Sequence, residues 1–302
     1  MKKEKSRVVL IGFGHIGKRH AKIILASEIF SLEAVVDSHL LEMVTHLPES
    51  IATYSRLDDF LKDGPSVQIA VIATPNGLHA AQIQRCLDHG LDIVIEKPMA
   101  LDSQDIKSLL RQASDKGLHL FPVIQNRYAQ TARWLKNLLN SGALGHIYII
   151  QVNCFWNRDE RYYQPESWHG DKAMDGGTLY TQFLHFIDML YWLFGDIKVL
   201  DRVFFDFNHQ SLSHFEDTGL IRFSFDHGAA KGALGTLQFT TSAWQQNAES
   251  ALTLIAEKGS IKVGGQYMEQ LEYARTAFLS DTDKQLLSEP DPLVSQHGAA
   301  TG

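Results

Sequence analysis

Val8-Val9-Leu10-Ile11-Gly12-Phe13-Gly14-His15-Ile16-Gly17 is the stretch on which the fold turns. Val8 to Ile11 reads as a short apolar strand. A GxGxxG follows, and Lys18 to Ser27 continues as a helix with Ile16, Ala21, Ile24 and Leu25 on one side. Leu32 to Val36 is a second strand, ending at Asp37, 20 residues beyond Gly17. A GxGxxG alone is a weak signal. Placed after a strand, opening a helix and followed at this distance by an acid, it is the dinucleotide fingerprint. Gly12 permits the tight turn, Gly14 lets backbone approach a pyrophosphate, and Gly17 allows close helix–strand packing. The helix N-terminus offers free N–H groups and a partial positive charge to the phosphates. Asp37 accepts hydrogen bonds from ribose hydroxyls and repels a 2′-phosphate, which favours NAD over NADP.

Outward from this stretch the alternation continues. Ile69–Ile72 and Ile93–Ile95 read as strands, with a last one at His119–Ile124. Helices read at His79–Asp88 and Ser103–Lys116. Strands alternating with helices imply a doubly wound parallel sheet. The character changes near residue 125, so we expect a dinucleotide-binding domain over 1–125 and a second domain over 126–302. Arg127–Asn140 reads as an amphipathic helix. A run of strand-like segments follows at 146–156, 199–207, 219–225, 233–241, 251–256, 260–263 and 267–273. Hairpin turns are expected at Asp226-His227-Gly228 and Glu257-Lys258-Gly259. Such a run predicts an α+β domain with an open, mainly antiparallel sheet. One apolar helix, Thr178–Phe194, interrupts it and reads as buried. From Ala277 to Gly302 no firm structure is expected.

The 302 residues are two domains' worth at roughly 150 each. With 44 % hydrophobic and 21 % charged residues, a disordered, collagen-like or coiled-coil chain is excluded. The net charge is −7, so no basic excess supports a nucleic-acid partner. Cys86 and Cys154 form no CxxC or metal-spacing pattern and read as buried thiols in a reducing compartment; no metal site is expected. No apolar run reaches the roughly 18–20 residues that span a bilayer. The basic start of the chain lacks the core and cleavage site of a signal peptide. These features read as a soluble cytoplasmic protein.

Past the strand at 93–95 stands Glu96-Lys97-Pro98. Lys97 lies at a strand's carboxyl end, where doubly wound sheets place ligands. A reaction that sends a hydride from a carbinol carbon to a nicotinamide must also send a proton to a base with a pKa near working pH. A lysine partly buried beside a cationic nicotinamide has its charged form disfavoured, which suits that role. Pro98 fixes φ and tolerates a cis bond, which would orient the lysine. Thr181 and His185 are spaced i and i+4, so they share a helix face, and His185 can hydrogen-bond or relay the proton of a hydroxyl.

Taken together, Gly12–Gly17, Thr74-Pro75-Asn76 with His79, Glu96-Lys97-Pro98 and Gly176-Gly177…His185…Asp188 resemble the Gfo/Idh/MocA oxidoreductase family. The resemblance runs in family order over residues 7–275. It implies an N-terminal Rossmann domain, a C-terminal α+β domain and dehydrogenation of CH–OH groups of a sugar-like alcohol with NAD, NADP being secondary. The open sheet face commonly forms a subunit interface, which implies a homodimer or homotetramer. Lys97 matches the family's catalytic lysine. The expected cofactor shell comprises Gly12, Phe13, Gly14, His15, Ile16, Gly17, Asp37, Ser38, Thr74, Pro75, Asn76, His79, Glu96, Lys97 and Gln125.

Two departures stand out. Where many members carry a catalytic Asp and a Gly, this chain has Thr181 and Phe183. Thr181 positions a hydroxyl but cannot titrate, so Lys97 and His185 must carry the chemistry. The branch acting on UDP-N-acetyl-hexosamines and their uronates at C3 is similar in having a non-ionisable residue there. Gln125-Asn126-Arg127-Tyr128 and the aromatic, arginine-rich stretch from Trp156 through Arg158, Arg161 and Tyr163 to Trp168-His169-Gly170-Asp171 also resemble that branch. Arginine forks suit carboxylate and diphosphate, and aromatic faces suit sugar or base stacking. Arg127, Tyr128, Arg158, Tyr163, Trp168, Thr181 and His185 are therefore the expected substrate contacts. The second departure is the end of the chain: no long helix reads after Tyr273, and against the family the chain looks short there. Dehydrogenation of a free sugar, inositol or diol stays open as an alternative, as does a catalytically silent NAD-binding protein.

Overall fold

A computed structural model describes residues 4–39, 47–165 and 167–288. The chain divides into two compact units. The first runs to Val123 and includes Ala173–Gly176; the second comprises Ile124–Lys172 and the chain from Gly177 onward. The four residues 173–176 thus belong with the first unit, although they lie inside the stretch expected to form the second domain.

In the first unit, β1 (Ser6–Ile11), β2 (Phe30–Val36), β3 (Ala52–Tyr54), β4 (Ile69–Ile72), β5 (Asp92–Ile95) and β6 (Leu120–Pro122) form one sheet in the order β3-β2-β1-β4-β5-β6. Every pairing is parallel. Helices α1 (His15–Ala26), α2 (Leu57–Asp63), α3 (His79–Asp88) and α4 (Ser103–Asp115) connect the strands. Val9 and Ile11 pack in one apolar cluster with Ile72, Ile93 and Ile95, while Val8 and Leu10 pack in another with Leu32, Val35 and Ile24. Both faces are therefore covered, which is why β1 reads as an unbroken apolar run. The sequence reading passed over β3 and α2. β3 is three half-buried residues at the sheet edge, and α2 buries Phe60 alone, so neither shows a usable period.

The second unit carries α5 (Gln130–Asn140), β7 (Ile147–Phe155), the single turns α6 (Lys172–Asp175, mostly of the first unit) and α7 (Thr178–Thr181), and α8 (Leu184–Phe194). After these come β8 (Lys198–Phe205), β9 (Thr218–Ser224), β10 (Leu234–Thr240), β11 (Glu249–Ala256), β12 (Gly259–Gly264), β13 (Gln270–Thr276) and α9 (Asp281–Ser288). The seven strands order as β13-β12-β11-β7-β10-β9-β8. All pairs are antiparallel except β7 with β10. Ile150, Val152, Leu237, Phe239, Leu252 and Leu254 face the helices and build the core with Leu135, Leu139, Phe186 and Leu190.

Three expectations need correction. The helix expected from Arg127 starts at Gln130. Gln125–Tyr128 is a separate 3-10 turn, and Ala129 is extended with ψ 139°. The helix expected over 178–194 is broken at Gln182-Phe183, so Thr181 and His185 do not share one continuous helix face. Phe183 is the cause: it is fully buried against Trp156 and Phe239, with ring centroids 5.2 and 5.5 Å away, and its backbone (φ −107°, ψ 5°) leaves the helix. Residues 281–288 form a helix where none was expected. Its start is a capping box: the Asp283 amide donates to Ser280 Oγ at 3.1 Å and the Ser280 amide to Asp283 Oδ2 at 3.0 Å. Residues 289–302 lie outside the described residues. Among the described residues no helix is long and apolar enough to cross a membrane, and no His/Cys/Asp/Glu cluster can hold a metal ion.

Candidate active site

In the first unit the glycines behave as three distinct devices. Gly12 has φ +93°, and a Cβ there would lie 2.5 Å from the Ala73 carbonyl oxygen. A Cβ on Gly17 would fall inside the Gly12 carbonyl, so α1 can approach β1 this closely only with glycine. Gly14 is the opposite case: a Cβ would meet nothing within 4 Å. It is the N-cap of the 12-residue α1, with no side-chain cap and no acid in the first turn. Open space above an uncapped helix N-terminus fits a diphosphate.

Asp37 stands at the end of β2. Its Oδ2 accepts the Phe13 amide at 2.6 Å and its Oδ1 the His39 amide at 2.8 Å. Each oxygen keeps a lone pair, and the carboxylate is 18 % exposed, so it both ties down the glycine loop and remains open to ribose hydroxyls. Ser38 is exposed beside it. Phe13 is buried, while His15 and Ile16 are exposed on the first turn of α1.

The next strand ends bring the remaining expected groups. Thr74 Oγ1 donates to Gln82 Oε1 at 2.6 Å. Pro75 precedes the 3-10 turn Asn76–Leu78, and buried Asn76 donates to the Asp175 carbonyl at 2.9 Å. His79 is wholly buried, with Nδ1 2.7 Å from the Pro98 carbonyl and Nε2 2.8 Å from the Thr74 carbonyl. It therefore joins two loops of the protein and exposes no surface to a cofactor, contrary to its place in the expected shell. Burial pushes its pKa down, and the two carbonyls pull partly back. Glu96 Oε1 meets His20 Nε2 at 2.8 Å, a partner the sequence did not reveal. Lys97 follows, and its bond to Pro98 is cis.

In the second unit, Thr181 and His185 are both buried, 8 % and 7 % exposed. Arg127 is held bidentately by Asp188, with Nε and Nη2 2.8 and 2.6 Å from the two carboxylate oxygens. That pairing raises the Arg127 pKa and occupies the fork expected to meet substrate. Gln125 and Tyr128 bound the same 3-10 turn, and Tyr128 is 67 % exposed. Arg161 is likewise held by Asp159, whose carboxyl it pulls down to about 2.

Arg158 differs from both. Its guanidinium lies between two rings, 4.9 Å from the Trp156 centroid and 5.2 Å from that of Tyr162. Its Nε donates to Gln182 Oε1 at 2.9 Å and its Nη1 to the Asn157 carbonyl at 2.6 Å. Gln182 in turn donates to the Tyr162 hydroxyl at 2.7 Å. Among the described residues no carboxylate lies within ion-pair distance of Arg158. Burial pushes its pKa down, yet a guanidinium stays charged at neutral pH. Tyr163 is buried nearby, and Trp168 stacks on His169 at 4.0 Å. Gln182 gives no signal in the sequence, because a polar side chain at a helix break has no period; Asp188 is marked there only through the family resemblance, and its pairing with Arg127 is not.

A family model describing an oxidoreductase family with an NAD-binding Rossmann fold matches residues 6–123. The GFO/IDH/MocA C-terminal domain matches residues 132–262. The WlbA dehydrogenase of Bordetella pertussis, solved with NADH and UDP-GlcNAcA, is 30 % identical, with a TM-score of 0.87 over 95 % of this chain and 81 % of that one. The WlbA dehydrogenase of Chromobacterium violaceum, also solved with NADH and UDP-GlcNAcA, is 27 % identical, with a TM-score of 0.86 over 98 % of this chain and 86 % of that one. The scyllo-inositol 2-dehydrogenase (NADP(+)) IolW of Bacillus subtilis is 27 % identical over 198 residues, 64 % of this chain and 53 % of that protein. The chain spans about half the length of the curated relatives it matches. With an N-terminal unit whose glycine loop fits NAD and a C-terminal unit built on a seven-stranded open sheet, the chain belongs to the Gfo/Idh/MocA oxidoreductase family.

Proposed function

We propose that the protein is an NAD-dependent dehydrogenase of a secondary alcohol on an anionic nucleotide sugar. The observation that carries this reading is Arg158: a guanidinium fixed between two aromatic rings, with no carboxylate at ion-pair distance among the described residues. Holding an unpaired cation part-buried is costly unless an anion completes it. The carboxylate of a sugar uronate supplies one, and the flanking rings suit a sugar face. The likeness to two WlbA dehydrogenases solved with UDP-GlcNAcA supports the same class. A neutral polyol, as in the inositol dehydrogenase relative, would leave Arg158 unmatched.

NAD, bound on the Gly12–Gly17 loop, would supply the hydride acceptor. The chain's own residues do the rest. Gly14 and the α1 N-terminus hold the diphosphate, and Asp37 selects the ribose without a 2′-phosphate. Lys97 takes the hydroxyl proton as the C–H bond breaks. His185 orients that hydroxyl, and Thr181 adds a non-titrating hydroxyl where other family members carry an acid. We extend the reading to a cytoplasmic homodimer or homotetramer. It is supported by two buried thiols and by apolar residues left exposed on the bare face of the second sheet, Ile149, Val203, Phe205 and Leu234 among them.

The test is NADH formation at 340 nm with UDP-GlcNAcA, UDP-GlcNAc and myo-inositol. We expect kcat/KM on the uronate to exceed the uncharged sugar by about 100-fold, since a buried charge left unmatched costs several kcal/mol. Arg158→Lys should raise KM for the uronate about tenfold and barely change KM for UDP-GlcNAc. Lys97→Ala should lower kcat about 10³-fold while NAD still binds. Faster turnover of inositol than of either nucleotide sugar would overturn the substrate class. Full turnover in Lys97→Ala would overturn the assigned base.

A further inference from the structure

The residues on either side of Lys97 are each held by a histidine. Glu96 is fixed by His20 of α1, through Oε1 to Nε2 at 2.8 Å. Pro98 is fixed by His79, the first residue of α3, through its carbonyl to Nδ1 at 2.7 Å. The other nitrogen of His79 faces the Thr74 carbonyl at 2.8 Å, on the loop that follows β4. His79 is entirely buried, so it contacts neither solvent nor ligand directly. His20 and Glu96 are about one-sixth exposed at their side chains, 17 % and 16 %.

We propose that His79 and His20 are positioning residues that set the orientation of Lys97 relative to the cofactor loops. The inference rests on the reading of Lys97 as the base. His79 thereby tethers the loop after β4 to the loop after β5, in addition to the ladder between those strands behind them. A buried ring packed between the two carbonyls restricts their relative movement: in the neutral form that burial favours it carries one N–H, and the carbonyl that accepts it loses that donor when the ring is removed. His20 works from the opposite face of the sheet and ties Glu96 to α1, the helix whose N-terminus would hold the diphosphate. A base held between two such tethers keeps its amine at a fixed distance from the reacting carbon, and a displacement of about 1 Å costs on the order of 100-fold in rate.

The chemistry of the ring supplies the test. In place of His79, an asparagine nitrogen lies near the position of Nδ1 and a glutamine nitrogen near that of Nε2. His79→Asn therefore keeps the Pro98 tether, His79→Gln keeps the Thr74 contact, and His79→Leu keeps neither. We expect kcat to fall about 100-fold in His79→Leu, about 30-fold in His79→Gln and fewer than about 10-fold in His79→Asn, with KM for the sugar within about threefold throughout. NAD affinity by calorimetry should stay within about threefold and also counts the folded fraction in each preparation. His20→Gln, a milder change at a partly exposed site, should lower kcat about fivefold. A weakened NAD affinity with unchanged kcat at saturation would make His79 a cofactor contact and overturn the proposal. Equal kcat per folded molecule in all three His79 variants would reduce it to a packing residue and overturn it as well. Should the unsubstituted protein turn over none of the sugars, the functional reading fails first. The tether is then read from the ¹³C resonance of methylated Lys97, assigned with Lys97→Arg: it should move in His79→Leu and stay in His79→Asn, and an unmoved resonance in both sinks the proposal.

Discussion

The two sheets place their working residues differently. In the parallel sheet Val8 to Ile11 are all buried, alternate residues entering opposite apolar clusters. Such a strand has no face left for a ligand, and the residues proposed for the site sit at carboxyl ends: Gly12 after β1, Asp37 after β2, Thr74 after β4, Glu96 and Lys97 after β5. In the second sheet, Ile150 is fully buried while its neighbour Ile149 is 46 % exposed. One face carries the core and the other is presented. A sheet covered twice works at its ends, and a sheet covered once offers its face as well.

Three measurements would break or sharpen this contrast. The largest effect on cofactor binding belongs to Gly17→Ala at the end of the covered sheet. A methyl group there must displace either α1 or the Gly12 carbonyl. NAD affinity should drop at least about tenfold and stability by about 2 kcal/mol, read by calorimetry and urea unfolding. An unchanged affinity would mean the close approach has no bearing on the diphosphate.

The second compares neighbours on β7. Ile150→Ala should cost about 3 kcal/mol in urea unfolding, and Ile149→Ala under about 1 kcal/mol. Sedimentation should instead show Ile149→Ala weakening self-association. Equal costs would mean that the exposed face is covered within one chain.

The third asks whether the second sheet's ends also do structural work. Asp217, at the start of β9, is wholly buried, and its Oδ2 accepts the Asn208 amide at 2.7 Å, the Ser242 hydroxyl at 2.9 Å and the Phe207 amide at 3.1 Å. Burial alone would raise its pKa; hydrogen bonds from Thr218 and from these groups bring it below the ordinary carboxylate value. Its stabilising contribution is therefore present above about pH 4 and lost as pH falls through the depressed value. Asp217→Asn should destabilise by about 1–3 kcal/mol at pH 7 and show a shallower loss between pH 5 and pH 3, both read from urea midpoints. Parallel pH profiles in the two proteins would exclude Asp217 from the acid response.

How much was legible in advance follows the same contrast. Covered strands, the glycine fingerprint, Asp37 and Glu96-Lys97-Pro98 read directly from sequence, because each depends on neighbours within a few residues or on one fixed spacing. Strand β3 and helix α2 did not, being too short to show a period. The break at Phe183 was hidden because a buried aromatic satisfies a helix pattern and a core pattern equally; only its packing against Trp156 and Phe239 decided between them.

The arginines divide in the same way. Sequence alone marks Arg127 and Arg158 alike as substrate contacts, with Arg161 beside them in the same aromatic stretch. The tertiary structure gave Arg127 to Asp188 and Arg161 to Asp159, and left Arg158 between Trp156 and Tyr162 with no carboxylate at ion-pair distance among the described residues. It likewise turned His79 from an expected cofactor contact into a buried bridge. Sequence by itself determined the two-part architecture and the dinucleotide loop, since hydrophobic period and glycine spacing are local properties of the chain. Which charges remain available for a ligand was decided by tertiary structure, because the partner that neutralises a side chain, such as Asp188 for Arg127, can lie 61 residues away and leaves no mark on the local pattern.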